Sequence, residues 1–457
     1  MIKIKSIKFY DHYIFGNRIF DFTFNENNIA NTIIFAGENG NGKTKLLEEL
    51  NELCNTNFLT STCIQHKKIC ELNIIFLNEK YHKANDRNII INKAILTRSE
   101  NNDGIIGNTV SFFSDDEKIS EVKYDDHNET ILMFKLNGLF STVDVNYIPL
   151  NEVRGITNKI LDNDNFNIPR DLAGEIIQLF VDIANQDSND LDKKYSETKD
   201  TLELEKIFHK RINRFTNAFS KVFGDELKYK GIKNNLIPLF EKNNKEVEIH
   251  SLSSGEKQII FRGIYLLKNK NNMANVPIFI DEPEISMHPK WEEKIYDYYK
   301  NLFVKDDRQV CQLFFATHSE HVLENALNDD NCLIIKFDDE MQKYSKNLPG
   351  IILPIITLSE IKYSIFDIPS VDFHSLLYGY ISVNVLNDSN VKQTDEWLKA
   401  QGVTLKLYSY QSRTYETLQS YIRNCIDHPG NVYSYSKEEL KKSIEEMINI
   451  IINNNSI

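Results

Sequence analysis

Gly37-Glu38-Asn39-Gly40-Asn41-Gly42-Lys43-Thr44 is the stretch on which the reading of this chain turns. It fits G-x4-G-K-[ST], follows the β-branched run Thr32-Ile33-Ile34-Phe35, and precedes a helical pattern that begins near Lys43. A glycine-rich turn between strand and helix can wrap backbone N–H groups around phosphate oxygens, where a Cβ would obstruct the approach. Gly37, Glu38, Asn39, Gly40, Asn41 and Gly42 are therefore the candidate cradle. Lys43 would reach the β- and γ-phosphates and assist their transfer, and Thr44 would ligate Mg2+. A chance glycine-rich turn would show the same eight letters, so the rest of the chain has to agree.

Far downstream, Val276-Pro277-Ile278-Phe279-Ile280 is an apolar run ending in Asp281-Glu282. A buried strand that delivers two carboxylates to its C-terminal end suits metal binding and water activation. Asp281 would hold the metal through its waters, and Glu282 would orient or deprotonate the attacking water. Alone, two acids at a strand end also fit a solvated edge. Beside a phosphate loop, the chemical reading is favoured.

The composition is compatible with this. The 457 residues are 41% hydrophobic and 26% charged, with 17 Gly and 10 Pro. That supplies a sizeable core and excludes a fibrous or low-complexity chain. Lys and Arg number 53 against 66 Asp and Glu, a net charge of −13. Such a balance argues against coating nucleic acid or acidic membrane through the overall field, while leaving room for a local basic groove. Six cysteines are scattered without a CxxC pair, which points to reduced cytoplasmic thiols rather than zinc or disulfides. The N-terminus alternates like a strand with no apolar h-region after it, and no run reaches membrane-spanning length.

Two further segments settle the class by resemblance. Ser251-Leu252-Ser253-Ser254-Gly255-Glu256-Lys257-Gln258 stands before a helical pattern with Ile259, Ile260, Ile264, Leu266 and Leu267. By itself it is a serine N-cap. Leu313-Phe314-Phe315-Ala316-Thr317-His318-Ser319 is an apolar strand ending in Thr-His, and a lone histidine is more often structural. In this order, the four segments resemble the ATP-binding-cassette (ABC) ATPases, whose signature is L-S-[GS]-G-[QE]. Asp281-Glu282-Pro283-Glu284-Ile285-Ser286-Met287-His288-Pro289 resembles the SMC, RecF and OLD branch of that class rather than membrane transporters.

The resemblance implies an α/β fold: a P-loop NTPase core of ABC type, a mixed sheet flanked by helices, with a helical insertion and a mostly helical C-terminal region. It implies ATP and Mg2+ as ligands and hydrolysis as the reaction. Ser253 and Gly255 would meet the γ-phosphate held by a second subunit, giving a homodimer around an ATP sandwich or a higher oligomer. His318 would contact the γ-phosphate and the attacking water. Gln65 is a weak candidate for the Q-loop, and Arg154 resembles the arginine of a recurring "P…R" segment.

The expected organisation is an N-terminal ATPase lobe over 1–155, a helical insertion over 156–245, a C-terminal ATPase lobe over 246–345 and a partner or effector region over 346–457. Within the insertion, Ile176, Ile177, Phe180, Val181 and Ile183 mark one amphipathic helix, and Leu202, Leu204, Ile207, Ile212, Phe215, Phe219 and Phe223 mark another. The polar stretch 185–200 reads as their connection. Such a hairpin is too short for a DNA-spanning arm; it suits a regulatory element or a simple insertion packed on the core.

Ile356-Thr357-Leu358-Ser359-Glu360-Ile361-Lys362-Tyr363, Val371 to Gly379 and Tyr421 to Pro429 resemble segments of ATPases from prokaryotic antiviral systems, nearest to PARIS-type and Septu or retron-associated subunits. That resemblance implies a cytoplasmic sensor or regulator that controls a separate effector protein, a nuclease, in response to a phage-derived trigger. Direct contact with nucleic acid is left open. Arg423-Asn424-…-His428 is also similar to the R-N-x3-H motif of HEPN ribonucleases, which would make Arg423 and His428 a catalytic pair. His428 before Pro429-Gly430 reads equally as a helix C-terminal residue favoured by the dipole. The alternatives are a RecF/SMC-like DNA repair ATPase and a self-contained HEPN-type ribonuclease toxin.

Overall fold

The computed structural model describes residues 2–25, 28–38, 40–55, 67–76, 81–82, 88–89, 92–100, 104, 106–114, 117–122, 147–148, 172–197, 210–233, 237–268, 277–284, 287–305, 308–338, 340–346, 348, 352–410, 413–429 and 433–455. They divide into two compact units, Met1–Phe337 and Asp338–Ile457.

The first unit opens with β1 (Ile2–Phe9), β2 (Ile19–Asp21), β3 (Thr32–Ala36) and α1 (Lys43–Asn55). Next come β4 (Lys67–Phe76), β5 (Lys93–Glu100), β6 (Ile106–Ser114), β7 (Glu117–Val122) and β8 (Tyr147–Ile148). Helices α2 (Leu172–Glu197) and α3 (Lys210–Phe223) lead into the meander β9 (Leu227–Ile232), β10 (Pro238–Lys242) and β11 (Lys245–Glu248). The unit closes with α4 (Ser254–Lys268), β12 (Pro277–Asp281), α5 (Pro289–Leu302), β13 (Gln312–Thr317), α6 (Glu320–Leu327) and β14 (Cys332–Lys336).

Two sheets organise these elements. One is antiparallel in the order β7-β6-β5-β4-β1-β2. The other is parallel through β8-β12-β13-β3-β14. Every residue of β3, β12 and β13 is buried, as expected of parallel strands covered on both faces. The register pairs Asp281 with Ala316 and Thr317 with Ala36. The segments that follow these three strands therefore leave the sheet at one edge, the carboxyl end where ligands bind in open α/β sheets. Gln312 is a buried polar residue at the start of β13. Its amide accepts from Ile4 N at 2.7 Å and donates to the carbonyls of Ile4 and Ala30 at 3.0 Å each, tying the antiparallel sheet to the parallel one.

The insertion differs from expectation. Helix α2 continues through the polar stretch to Glu197, because nothing between Glu175 and Glu197 is Gly or Pro. Asp187, in the stretch read as a connection, is buried and pairs with the buried guanidinium of Arg211 in α3. Phe215, Phe219 and Phe223 stack along α3, and Phe223 meets Trp291 of α5 at 5.1 Å between ring centroids. The helices are thus packed on the core. The β9–β11 meander shares their apolar face through Tyr229 and Phe240. It was absent from the sequence reading.

The second unit contains α7 (Leu358–Phe366), α8 (Val371–Tyr380), α9 (Val391–Ala400), a hairpin of β15 (Leu405–Tyr410) and β16 (Arg413–Thr417), α10 (Leu418–Asp427) and α11 (Lys437–Asn455). Its own core gathers Phe373, Leu377, Leu398, Tyr408, Ile422 and Ile444. It is mostly helical, with the hairpin added.

Candidate active site

Gly42 shows why the loop needs glycine. Its φ is +97°, and a Cβ there would lie 3.0 Å from Ile14 Cγ2 and 3.1 Å from Phe15 Cε1. The loop is tethered below by Asn41 Nδ2, which donates to Phe337 O at 3.0 Å. Lys43, at the first position of α1, is curled back over the loop. Its Nζ donates to the carbonyls of Gly37 at 2.9 Å and Glu38 at 2.7 Å. Burial pushes its pKa down to about 8, against the pull of Asp281, Glu282, Glu284 and Glu38. A lysine whose charge is held only by carbonyl dipoles and nearby carboxylates is prepared for a stronger anion.

Thr44 Oγ1 donates to Asp281 Oδ1 at 3.2 Å, so the end of β12 meets the start of α1. Burial raises the Asp281 carboxyl to about 6. That is the condition of a buried carboxylate short of a cation, and a hydroxyl with one carboxylate is the protein share of an octahedral Mg2+ site completed by phosphate and water. The residues fit the ion. Among the described residues no cluster of three or more His, Cys, Asp or Glu side chains forms a metal cage.

Glu282 has φ +42°, a left-handed conformation unusual for a residue with a Cβ. Its N–H donates to Ala316 O at 2.9 Å. Its carbonyl accepts from Arg262 Nη1 at 3.0 Å, and the same nitrogen reaches Pro283 O at 3.3 Å. The carboxylate is thereby turned to face His318, with Glu282 Oε1 3.7 Å from His318 Nε2. The His318 pKa lies below the ordinary histidine value, first through burial and then through Lys43, which favours the neutral ring.

Glu284 and Arg262 were not picked out by the sequence reading. Glu284 Oε1 accepts from Thr317 Oγ1 at 2.7 Å and His318 N at 2.8 Å, fixing the turn that carries the histidine. Glu284 belongs to the Asp281-Glu282-Pro283-Glu284 segment. Arg262 lies in the middle of an apolar helical stretch and carried no local signal.

Ser253 N-caps α4 in a capping box: its N–H and hydroxyl donate to Glu256 Oε2 at 2.8 and 2.9 Å, and its Oγ accepts from Glu256 N at 3.4 Å. Glu256 also pairs with Lys242 at 2.8 Å. Gly255 is buried in the first turn. In the second unit, Arg423 pairs with Asp427 at 2.6 Å, and His428 is the C-cap of α10. Both line one cavity. Asn39, Gln65 and Arg154 lie outside the described residues, as do Leu202, Leu204 and Ile207 of the second insertion helix.

A phosphate loop, an acid pair and a histidine gathered at the carboxyl edge of a parallel sheet define a P-loop ATPase. Residues 181–323 match the AAA ATPase domain family. The chain is 23% identical over 225 residues to a retron Vc95 probable ATPase of Vibrio cholerae, an alignment covering 47% of this chain and 38% of that protein. It is 23% identical over 161 residues to the Septu protein PtuA of Bacillus thuringiensis, covering 33% of this chain and 39% of that one. The chain thus spans 38% and 39% of the length of these curated relatives. Among solved structures, the Smc head domain of Pyrococcus furiosus bound to the C-terminal domain of ScpA aligns at 14% identity with a TM-score of 0.39, over 76% of this chain and 97% of that one. The chain thus carries an ATPase domain and is similar to a retron probable ATPase and to a Septu protein. No helix among the described residues is long and apolar enough to cross a membrane.

Proposed function

We propose that this chain hydrolyses ATP in a site closed by a second copy of itself, and that nucleotide state controls a separate effector, a nuclease, in a prokaryotic antiphage system. The observation that carries the ATPase reading is the meeting of Thr44 with Asp281 and of Glu282 with His318 at one sheet edge. Lys43 would exchange the carbonyls of Gly37 and Glu38 for the β- and γ-phosphates. Thr44 and Asp281 would hold Mg2+, which when bound neutralises charge on the transferred phosphoryl group. Glu282 would accept the proton of the attacking water as its oxygen bonds to the γ-phosphorus and the bond to the bridging oxygen breaks. His318 would position that water and the γ-phosphate.

The capping box at Ser253 suits a role in trans. Lys242 neutralises Glu256 beside the helix start, and the first-turn N–H groups of α4 are what a partner's γ-phosphate would meet. The defence reading is supported by the similarity to the retron and Septu proteins and by the acidic balance of −13, which favours protein partners over direct binding along nucleic acid.

Glu282→Gln tests both halves. With ATP the variant is expected to turn over at least ~100-fold more slowly and to form a dimer or larger assembly by light scattering. Unchanged turnover would refute the site, and a persistent monomer would refute the ATP sandwich. In bacteria carrying the chain with its neighbouring genes, the same substitution is expected to abolish protection in a plaque assay.

A further inference from the structure

The second unit holds a cavity of about 710 Å³ that ATP hydrolysis leaves unused, within the ~300–1,000 Å³ of small-ligand sites. Its polar lining comes from Asn390 and Lys392 at the start of α9, Thr414 and Tyr415 on β16, and Arg423, Asn424 and His428 on and just after α10. No carboxylate is among the described residues that line it. In a chain of net charge −13, a hollow with two obligate cations and an imidazole runs against the overall field.

The cations have partners, but weak ones. Arg423 Nη2 pairs with Asp427 at 2.6 Å and Lys392 with Glu396 at 3.9 Å, each one helical turn away. Neither acid lines the cavity, and solvent-screened pairs of this kind contribute little. Arg423 Nη1 reaches Asn424 Oδ1 at a long 3.4 Å. A phosphate group, with its several charged oxygens, would compete well for both cations.

The walls are built rigidly. Buried Asp395 of α9 accepts from Glu416 N at 2.9 Å, Thr417 N at 3.0 Å and Thr417 Oγ1 at 2.6 Å, locking α9 to β16 and to the N-cap of α10. Asn424 Nδ2 donates to Ser420 O at 2.6 Å, holding its carboxamide against its own helix. A cavity with fixed walls binds without the cost of ordering them.

We propose that this cavity binds the phosphate of a nucleotide, with Lys392 and Arg423 on the phosphate and the Tyr415 ring and the Asn390 amide beside the nucleoside. The nucleotide is either free or a unit of an RNA strand. The full chain, saturated with MgADP to fill the ATPase site, is titrated calorimetrically with 5′-UMP and with a six-residue oligouridylate lacking terminal phosphate. At least one probe is expected to bind one per chain, and Arg423→Gln to weaken it by about tenfold or more. Binding of 5′-UMP alone assigns the free nucleotide, and binding of the oligomer alone assigns the strand. Lys392→Gln, on an exposed first-turn residue, is the second variant; it is expected to weaken the same probe several-fold and to lower the salt dependence of binding. Circular dichroism checks that both variants fold. Failure of both probes to bind, or binding indifferent to the folded variants, overturns the proposal.

Discussion

Glu282 holds its place against its own backbone preference. A left-handed conformation costs a residue with a Cβ about 1–2 kcal/mol, and the turn persists because Ala316 and Arg262 secure both of its main-chain polar groups. Arg262 is thus a positioning residue, reaching from α4 to the main-chain carbonyl of Glu282, whose carboxylate faces His318. Arg262→Met is expected to lower ATP turnover by about tenfold or more while leaving ATP affinity within a few-fold, read from steady-state kinetics and nucleotide titration. His374 makes a separate prediction. It is buried in the second unit with Nε2 3.0 Å from Ser443 Oγ, and burial drops its pKa to about 3. A folded value below the unfolded value of about 6.5 means that the unfolded chain takes up the proton first. Its contribution is whole above pH 6.5 and is lost as pH falls towards 3. Between pH 7 and pH 5 this costs about 2 kcal/mol, and His374→Gln should flatten that part of the denaturation profile.

Elements were legible where the signal was local. The run into Gly37 and the run into Asp281 were readable because buried parallel strands need continuous apolar sequence, and turn chemistry follows directly. Helix α2 was misread because a polar surface stretch looks like a loop when the buried Asp187–Arg211 pair inside it cannot be seen. The β15–β16 hairpin was missed for a related reason. Leu405 and Leu407 are exposed while Tyr408 is buried, so the apolar letters do not alternate with the buried face. Helix packing also depends on one unadvertised glycine. A Cβ on Gly263 of α4 would sit 1.8 Å from the Tyr298 hydroxyl of α5 and 2.8 Å from its Cζ. Gly263→Ala should cost about 1–3 kcal/mol and lower the melting temperature by several degrees. Tyr298→Phe should restore only part of the loss, since the ring carbon still collides.

At the scale of the molecule, the ATP sandwich is the consequence to test. Ser253→Arg in the Glu282→Gln background places bulk at the start of α4, away from Lys43 in sequence and in role. ATP binding by each chain is expected to survive, and ATP-dependent assembly in light scattering is expected to vanish. The order of the motifs was enough to announce a nucleotide site, because a phosphate loop needs only a strand, a turn and a helix in succession. The sequence alone determined the parallel strands that bear those motifs. Only the tertiary structure decided which groups face each other: Thr44 with Asp281, 237 positions apart, Glu282 with His318, Arg262 behind the turn, and a cation-lined cavity in the second unit. Those meetings are set by sheet register and helix packing, which sum many weak contacts over distant residues and leave no mark in any one stretch of sequence.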